Sequence, residues 1–417
     1  MKSIITFIKD FHANSGSWIA SATLFNKLIL FLIKSFILLT IEKEVYGQIT
    51  YSITVIAFFS QFVGLGSASG MLRYGAIAKT EEERHKIINY SFSQGLLNTM
   101  AIMIMVVVLL PFLPNQEDAI LLFTGILVFR ILGLYLNVHQ SAQLRVDNKN
   151  KLYGQYDITY SITLLIFTVM LTYLFGALGY LIGLISAPII TFLIFSFRYG
   201  FPKWNLRFNF NFTKKSFWSY SFLSNISGVV SQTVFFIDIY LIGNLLGETQ
   251  VAEYSAAALI PMNILLLPII FIRTDFTKLA ANYKNRTFLK NYYFNFLKLF
   301  AIIISIGMLI AIFFGEWIFS FLGKEYSPYE LFLYLMVASS ISILFRVPLG
   351  NMFSAFGRAK VNTIIGSITL ILSIFLNLIL IPKFGLIGAA WATCICLIIS
   401  SILNVIYFFW YLKNACD

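Results

Sequence analysis

Charge is what this chain has least of. Only 12% of its 417 residues are Asp, Glu, Lys or Arg, about half the share of a soluble domain. So few charges cannot cover the surface of a water-soluble protein of this size, which excludes a cytosolic enzyme. A mean hydropathy of +0.83 likewise excludes a disordered chain. Cysteine is scarce too: Cys394, Cys396 and Cys416 lie in or just past the last apolar segment with no His nearby. Cys394 and Cys396 are two apart, so on a helix they point to different faces. Neither a disulfide framework nor a metal site is expected. No P-loop, paired-carboxylate or metal-binding pattern is present, which argues against an ATP-driven pump. The first 16 residues carry Lys2, Lys9, Asp10 and His12, and no small-residue cleavage site follows a short apolar core, so no cleavable signal is expected.

What the chain has is apolar length. Hydrophobic residues make up 59% of it, and a helix of about 20 apolar residues spans a bilayer. Charged and turn residues divide the sequence into twelve candidate spans: 17–41, 47–70, 87–110, 119–139, 152–173, 178–197, 217–245, 251–272, 299–319, 329–346, 361–380 and 386–411. The expected fold is all-α and polytopic, with six spans in 1–200, a linker at 201–216 and six spans in 217–417. The net charge of +12 follows from 30 Lys and Arg against 18 Asp and Glu. In a soluble protein that excess suggests nucleic acid, but here it follows the positive-inside pattern. Of the basic residues, 23 fall at the N-terminus, at 71–86, 140–151, 198–216, 273–298 and 357–360, and at the C-terminus. Only Lys43, Lys324 and Lys383 fall in the alternate loops. Both termini are therefore expected in the cytoplasm.

The halves resemble each other. Phe175-Gly176-Ala177-Leu178-Gly179-Tyr180 leads into span six and Phe384-Gly385-Leu386-Ile387-Gly388-Ala389 into span twelve, at an offset of 209. Lys149-Asn150-Lys151 and Arg358-Ala359-Lys360 repeat at that offset; Tyr46-Gly47-Gln48 and Val251-Ala252-Glu253 repeat at 205. Six spans per half make these parallel repeats about an axis along the membrane normal. Gly66 and Gly70, and Gly179 and Gly183, have the small-xxx-small spacing of close helix packing.

Four basic residues lie inside or at the end of spans: Lys27 and Lys34 on one face of span one, Arg130 midway along span four, and Arg346 at the end of span ten. Each costs roughly 2.5–3.5 kcal/mol at the centre of a lipid-facing helix. A hydrated cationic cavity removes most of that penalty; a structural ion pair is the alternative, and Lys34 can snorkel. Span seven carries a polar stripe of Ser221, Ser224, Asn225, Ser231 and Gln232. That stripe reads either as the wall of a cavity, facing Asn26, Lys27 and Lys34 of span one, or as a helix-packing face. Asn26, Asn225 and Gln232 are the candidate neutral contacts to a polar cargo. Asp238 is the one acid well inside a span, and reads as an ion-coupling group or as a structural partner of Lys27 or Lys34.

These features resemble the multidrug/oligosaccharidyl-lipid/polysaccharide exporter superfamily, and within it the Wzx-type O-antigen flippases. The resemblance rests on Tyr46-Gly47-Gln48-Ile49, on the Asp238 stretch followed by Gly247 to Tyr254, and on Phe384 to Ala390. It implies a V-shaped pair of six-helix lobes around a central cavity. It also implies movement of an undecaprenyl-pyrophosphate-linked oligosaccharide across a bacterial inner membrane, alongside other polysaccharide-assembly proteins. No bound cofactor is implied, only coupling to an ion gradient. Lys27, Lys34 and Arg130 match the pyrophosphate-engaging role by type and depth. A drug exporter of the same superfamily is the alternative, although such exporters typically place acids, not bases, in the cavity. A membrane glycosyltransferase or polymerase is disfavoured by the short outer loops.

Overall fold

The computed structural model describes residues 16–414, except 77, 115–116, 148, 211–212, 266–267, 270–271, 273–278, 280–281, 321–327 and 357. Lys2, Lys9, Arg273, Lys278, Lys324 and Cys416 thus lie outside the described residues. Among the described residues there is no strand. The helices are α1 Gly16–Thr40, α2 Lys43–Ser60, α3 Ser67–Ala76, α4 Glu81–Leu109, α5 Asp118–Val146, α6 Asn150–Tyr199, α7 Lys214–Leu246, α8 Glu248–Ile264, α9 Arg286–Ser320, α10 Tyr329–Ile341, α11 Val347–Ala355 and α12 Ala359–Asn414. Each expected span overlaps one of them. Seven helical stretches among the described residues are long and apolar enough to cross a bilayer. Two of these, Lys151–Tyr199 and Lys360–Asn414, run to 49 and 55 residues, about twice what one crossing needs. In the most apolar window of the α9 stretch only 17% of residues are buried. Ile302, Leu309 and Phe313 stand exposed there, as befits a helix that faces lipid. The protein is an all-α, polytopic membrane protein.

The repeated glycines explain how the two longest helices serve as pairs of rods. Gly176 has φ 57° and ψ −135°, and Gly385 has φ 58° and ψ −138°. Only glycine adopts that region readily, so each residue breaks its helix and turns the chain. Gly179 and Gly388 then let the rods meet: a Cβ on either would overlap the carbonyl of Leu171 or Leu380 respectively. Gly183 faces the Thr168 backbone in the same way, with a Cβ position 2.7 Å from Thr168 Cα.

Span two is broken rather than continuous. Gly64, Leu65 and Gly66 have φ of 60°, 47° and 77°, and this turn separates α2 from α3. Backbone groups freed from helical pairing at the break find side-chain partners. The Gly64 N–H donates to Thr99 Oγ1 at 3.0 Å, and Asn225 Nδ2 donates to the Gln61 carbonyl at 2.7 Å. A Cβ on Gly66 would overlap the Ser221 carbonyl, and one on Gly70 would lie 2.8 Å from the Phe217 ring. The small-xxx-small pair is thus a packing face against α7.

The chain forms two compact units, Met1–Gln232 and Thr233–Asp417. The expected linker packs onto the first. Lys203 N–H donates to Asn89 Oδ1 at 2.9 Å and Asn205 N–H to Ser93 Oγ at 2.7 Å. Phe208 and Phe210 meet the Tyr90 ring edge-on. The start of α7 joins them through Phe217, so the first unit runs past residue 216 into α7. The second unit is centred on Tyr293, Phe296, Phe300, Phe353 and Phe408.

Candidate functional site

The second unit contains a buried carboxylate centre. Asp238, on the later half of α7, is only 4% exposed. Its Oδ1 accepts from Asn377 Nδ2 at 2.7 Å and Ser373 Oγ at 3.3 Å. Its Oδ2 accepts from Thr393 Oγ1 at 2.6 Å and Tyr254 OH at 3.1 Å. Helix α8 and the two rods of α12 supply these donors. Tyr254 comes from α8, and Ser373 and Asn377 sit one turn apart on the first rod of α12. Thr393 comes from the second rod, turned back by the Gly385 break. The donors are all neutral, and among the described residues no Lys or Arg forms an ion pair with Asp238. A buried carboxylate without a counter-charge is costly unless it takes up a proton or cation.

A cavity of about 20 Å³ adjoins the carboxylate, lined by Asp238, Ser339, Ser373, Thr393 and apolar side chains including Met262 and Leu335. That is room for one water molecule or ion. Asn377 Oδ1 is buried beside Asp238 with no hydrogen-bond partner. Shifting the five polar positions by the repeat offsets gives Ile33, Ile49, Leu164, Thr168 and Leu184 in the first half, all buried. The repeat-related positions of the first half therefore carry no carboxylate.

The sequence-predicted residues divide by place. Asn26 is half-buried and Lys34 exposed on α1; the side chains of Lys27 and Gln232 lie outside the described residues. Asn225 is half-buried and gives its amide to the Gln61 carbonyl at the break in span two. Arg130 is half-buried in the middle of α5. Its Nε is buried with no hydrogen-bond partner, and its guanidinium lies within electrostatic reach of Tyr160 and Tyr180 on the two rods of α6. Arg346 is half-buried and ends a π-helical turn, Ser342–Arg346, that joins α10 to α11. Tyr254, Ser373, Asn377 and Thr393 were not singled out by sequence reasoning. The one available signal was the i, i+4 polar pair of Ser373 and Asn377 inside an apolar span.

The polysaccharide biosynthesis protein family matches residues 13–274, well over half of the chain. The chain belongs to this family. A MatE match covers residues 224–379. A Shigella flexneri protein named as an O-antigen transporter is 23% identical over 231 residues, 53% of either chain. The chain thus spans about half the length of this curated relative. Among solved structures, a multidrug resistance MATE family transporter of the MOP superfamily superposes with a TM-score of 0.76 at 14% identity, over 92% of this chain and 94% of that one. The lipid II flippase MurJ superposes with a TM-score of 0.72 at 18% identity, over 94% and 87%. The family member therefore has the fold of the MOP exporters, as the sequence resemblance implied.

Proposed function

We propose that this protein flips an undecaprenyl-pyrophosphate-linked oligosaccharide repeat unit from the cytoplasmic to the periplasmic leaflet of a bacterial inner membrane. The product would be an O-antigen, a capsule or a similar surface polysaccharide. Family membership, the name of the Shigella relative and the MurJ-like fold all support a flippase over an enzyme.

The observation that carries the reading is Arg130. A guanidinium at mid-helix with a buried, unpartnered Nε calls for an anion. A pyrophosphate supplies oxygens that match its donors. Lys27, Lys34 and Arg346 complete the basic set inside the spans, with Asn26, Asn225 and Gln232 as neutral contacts. In this reading the six-helix lobes 1–200 and 217–417 alternate access around a cationic cavity, with both termini cytoplasmic. Asp238 takes up the coupling ion: a proton on its carboxylate, or one cation in the adjoining cavity, held also by Ser373, Thr393 and Asn377 oxygens. The lipid bilayer and other polysaccharide-assembly proteins are the partners. The test is surface polysaccharide output in a strain that depends on this gene. Lys27→Ala and Arg130→Ala should each abolish or severely reduce output at normal membrane levels of the protein. Wild-type output from the double variant would overturn the reading, and export of small cations instead would favour a MATE-like exporter.

A further inference from the structure

The first unit holds a second cavity, of about 300 Å³, lined by Leu65, Gln94, Asn98, Trp218 and Phe222. Its chemistry is distinct from both the basic residues and the carboxylate centre. Gln94 and Asn98 lie one turn apart on α4, so both amides fall on the same face. Neither makes a hydrogen bond within the described structure, and both are half-exposed to the cavity. Each primary amide keeps two donors and an acceptor unspent. Facing them are two aromatic rings from the first turns of α7. The Trp218 indole is fixed: its Nε1–H donates to Tyr90 OH at 3.0 Å, and its ring meets Phe217 edge-on at 5.3 Å. Phe222 is exposed. Among the described residues, no charged side chain lines the cavity.

A ligand for such a site is neutral, has an apolar face for the indole and carries hydroxyl or acetamido groups for the amides. An acyl chain leaves four amide donors unmet, and a phosphate finds no cation. A pyranose ring meets every condition: its C–H face stacks on an aromatic ring while its edge hydroxyls pair with amides. The position suits a first contact. Trp218 is four residues past Lys214, at the basic end of α7, which the positive-inside pattern places towards the cytoplasm.

We infer that Gln94, Asn98, Trp218 and Phe222 form a saccharide subsite that takes one pyranose ring of the lipid-linked cargo. This rests on the flippase reading above. It separates recognition of sugar from recognition of pyrophosphate.

The experiment measures binding of two lipids to the full-length protein in nanodiscs. One is undecaprenyl pyrophosphate without sugar; the other is the lipid-linked oligosaccharide extracted from the source cells. The principal variant is Gln94→Ala with Asn98→Ala, chosen because neither amide supports the fold; a thermal melt checks this. Trp218→Phe, which keeps a stacking ring, is the conservative control. The double variant should bind the sugar-bearing lipid about tenfold or more weakly. It should bind the sugarless lipid as wild type does, and Trp218→Phe should retain most of the affinity for both. Unchanged binding of the sugar-bearing lipid, or equal loss for both lipids, would overturn the subsite while leaving the flippase reading standing. Wild-type protein that binds neither lipid would overturn both.

Discussion

Asn377 donates its side-chain amide to Asp238 Oδ1 at 2.7 Å across 139 residues of sequence. That bond ties α12 to α7 at the buried carboxylate. Because the other donors are hydroxyls from α8 and both rods of α12, any change in charge at Asp238 acts on three helices at once. This is the arrangement expected of a group that links ion uptake to helix movement.

Asp238→Asn removes the ionisable group while keeping the volume. It should lose gradient-driven transport but retain cargo binding and membrane insertion. Transport in vesicles with and without an imposed proton or sodium gradient measures this, and the gradient that matters identifies the ion. Normal gradient-driven transport in the variant would remove Asp238 from the mechanism.

Tyr254→Phe and Thr393→Val each delete one of the four donors and leave the carboxylate. Each should reduce coupled transport less than Asp238→Asn does, and the pair together should reduce it more than either alone, since the donors share one acceptor. Full activity in the double variant would show that the hydrogen bonds are incidental to transport.

Gly176→Ala and Gly385→Ala meet no steric neighbour within 4 Å, so their cost is backbone strain alone. Each should destabilise the protein by about 1–3 kcal/mol, seen as a lower unfolding temperature in detergent. Unchanged melting would mean that these breaks are not fixed by the glycines.

Asn225→Ala leaves the Gln61 carbonyl without its side-chain donor. Losing one hydrogen bond at a part-buried acceptor costs about 0.5–1.5 kcal/mol, so stability should fall by that order. A fall in polysaccharide output without any loss of stability would instead favour Asn225 as a cargo contact.

Much of the fold was legible because lipid imposes simple rules. Apolar length marked the helices, and the Phe-Gly-x-x-Gly repeat marked where the long helices turn, since only glycine fits there. The break at Gly64–Gly66 was not legible: two glycines flanking Leu65 also suit close packing, and Gly66 serves both purposes. The polar stripe of span seven left wall and packing open; Ser221 and Asn225 prove to pack against the break in span two. Asp238 stood out because a lone acid in an apolar run is costly. Its partners did not, because Tyr254, Ser373, Asn377 and Thr393 are ordinary polar residues until Gly385 folds the rods together. The π-helical turn at Arg346 leaves no pattern in composition.

In the proposed mechanism a basic side chain inside the membrane holds an anionic lipid-linked saccharide during its transfer between leaflets. The most direct measurement is the rate at which purified protein in vesicles moves fluorescent undecaprenyl-pyrophosphate-linked oligosaccharide between leaflets. Wild type should translocate the intact lipid, with no bond made or broken, and Arg130→Ala should slow it by about tenfold or more. An Arg130→Ala rate equal to wild type, or no translocation by wild type, would contradict this mechanism.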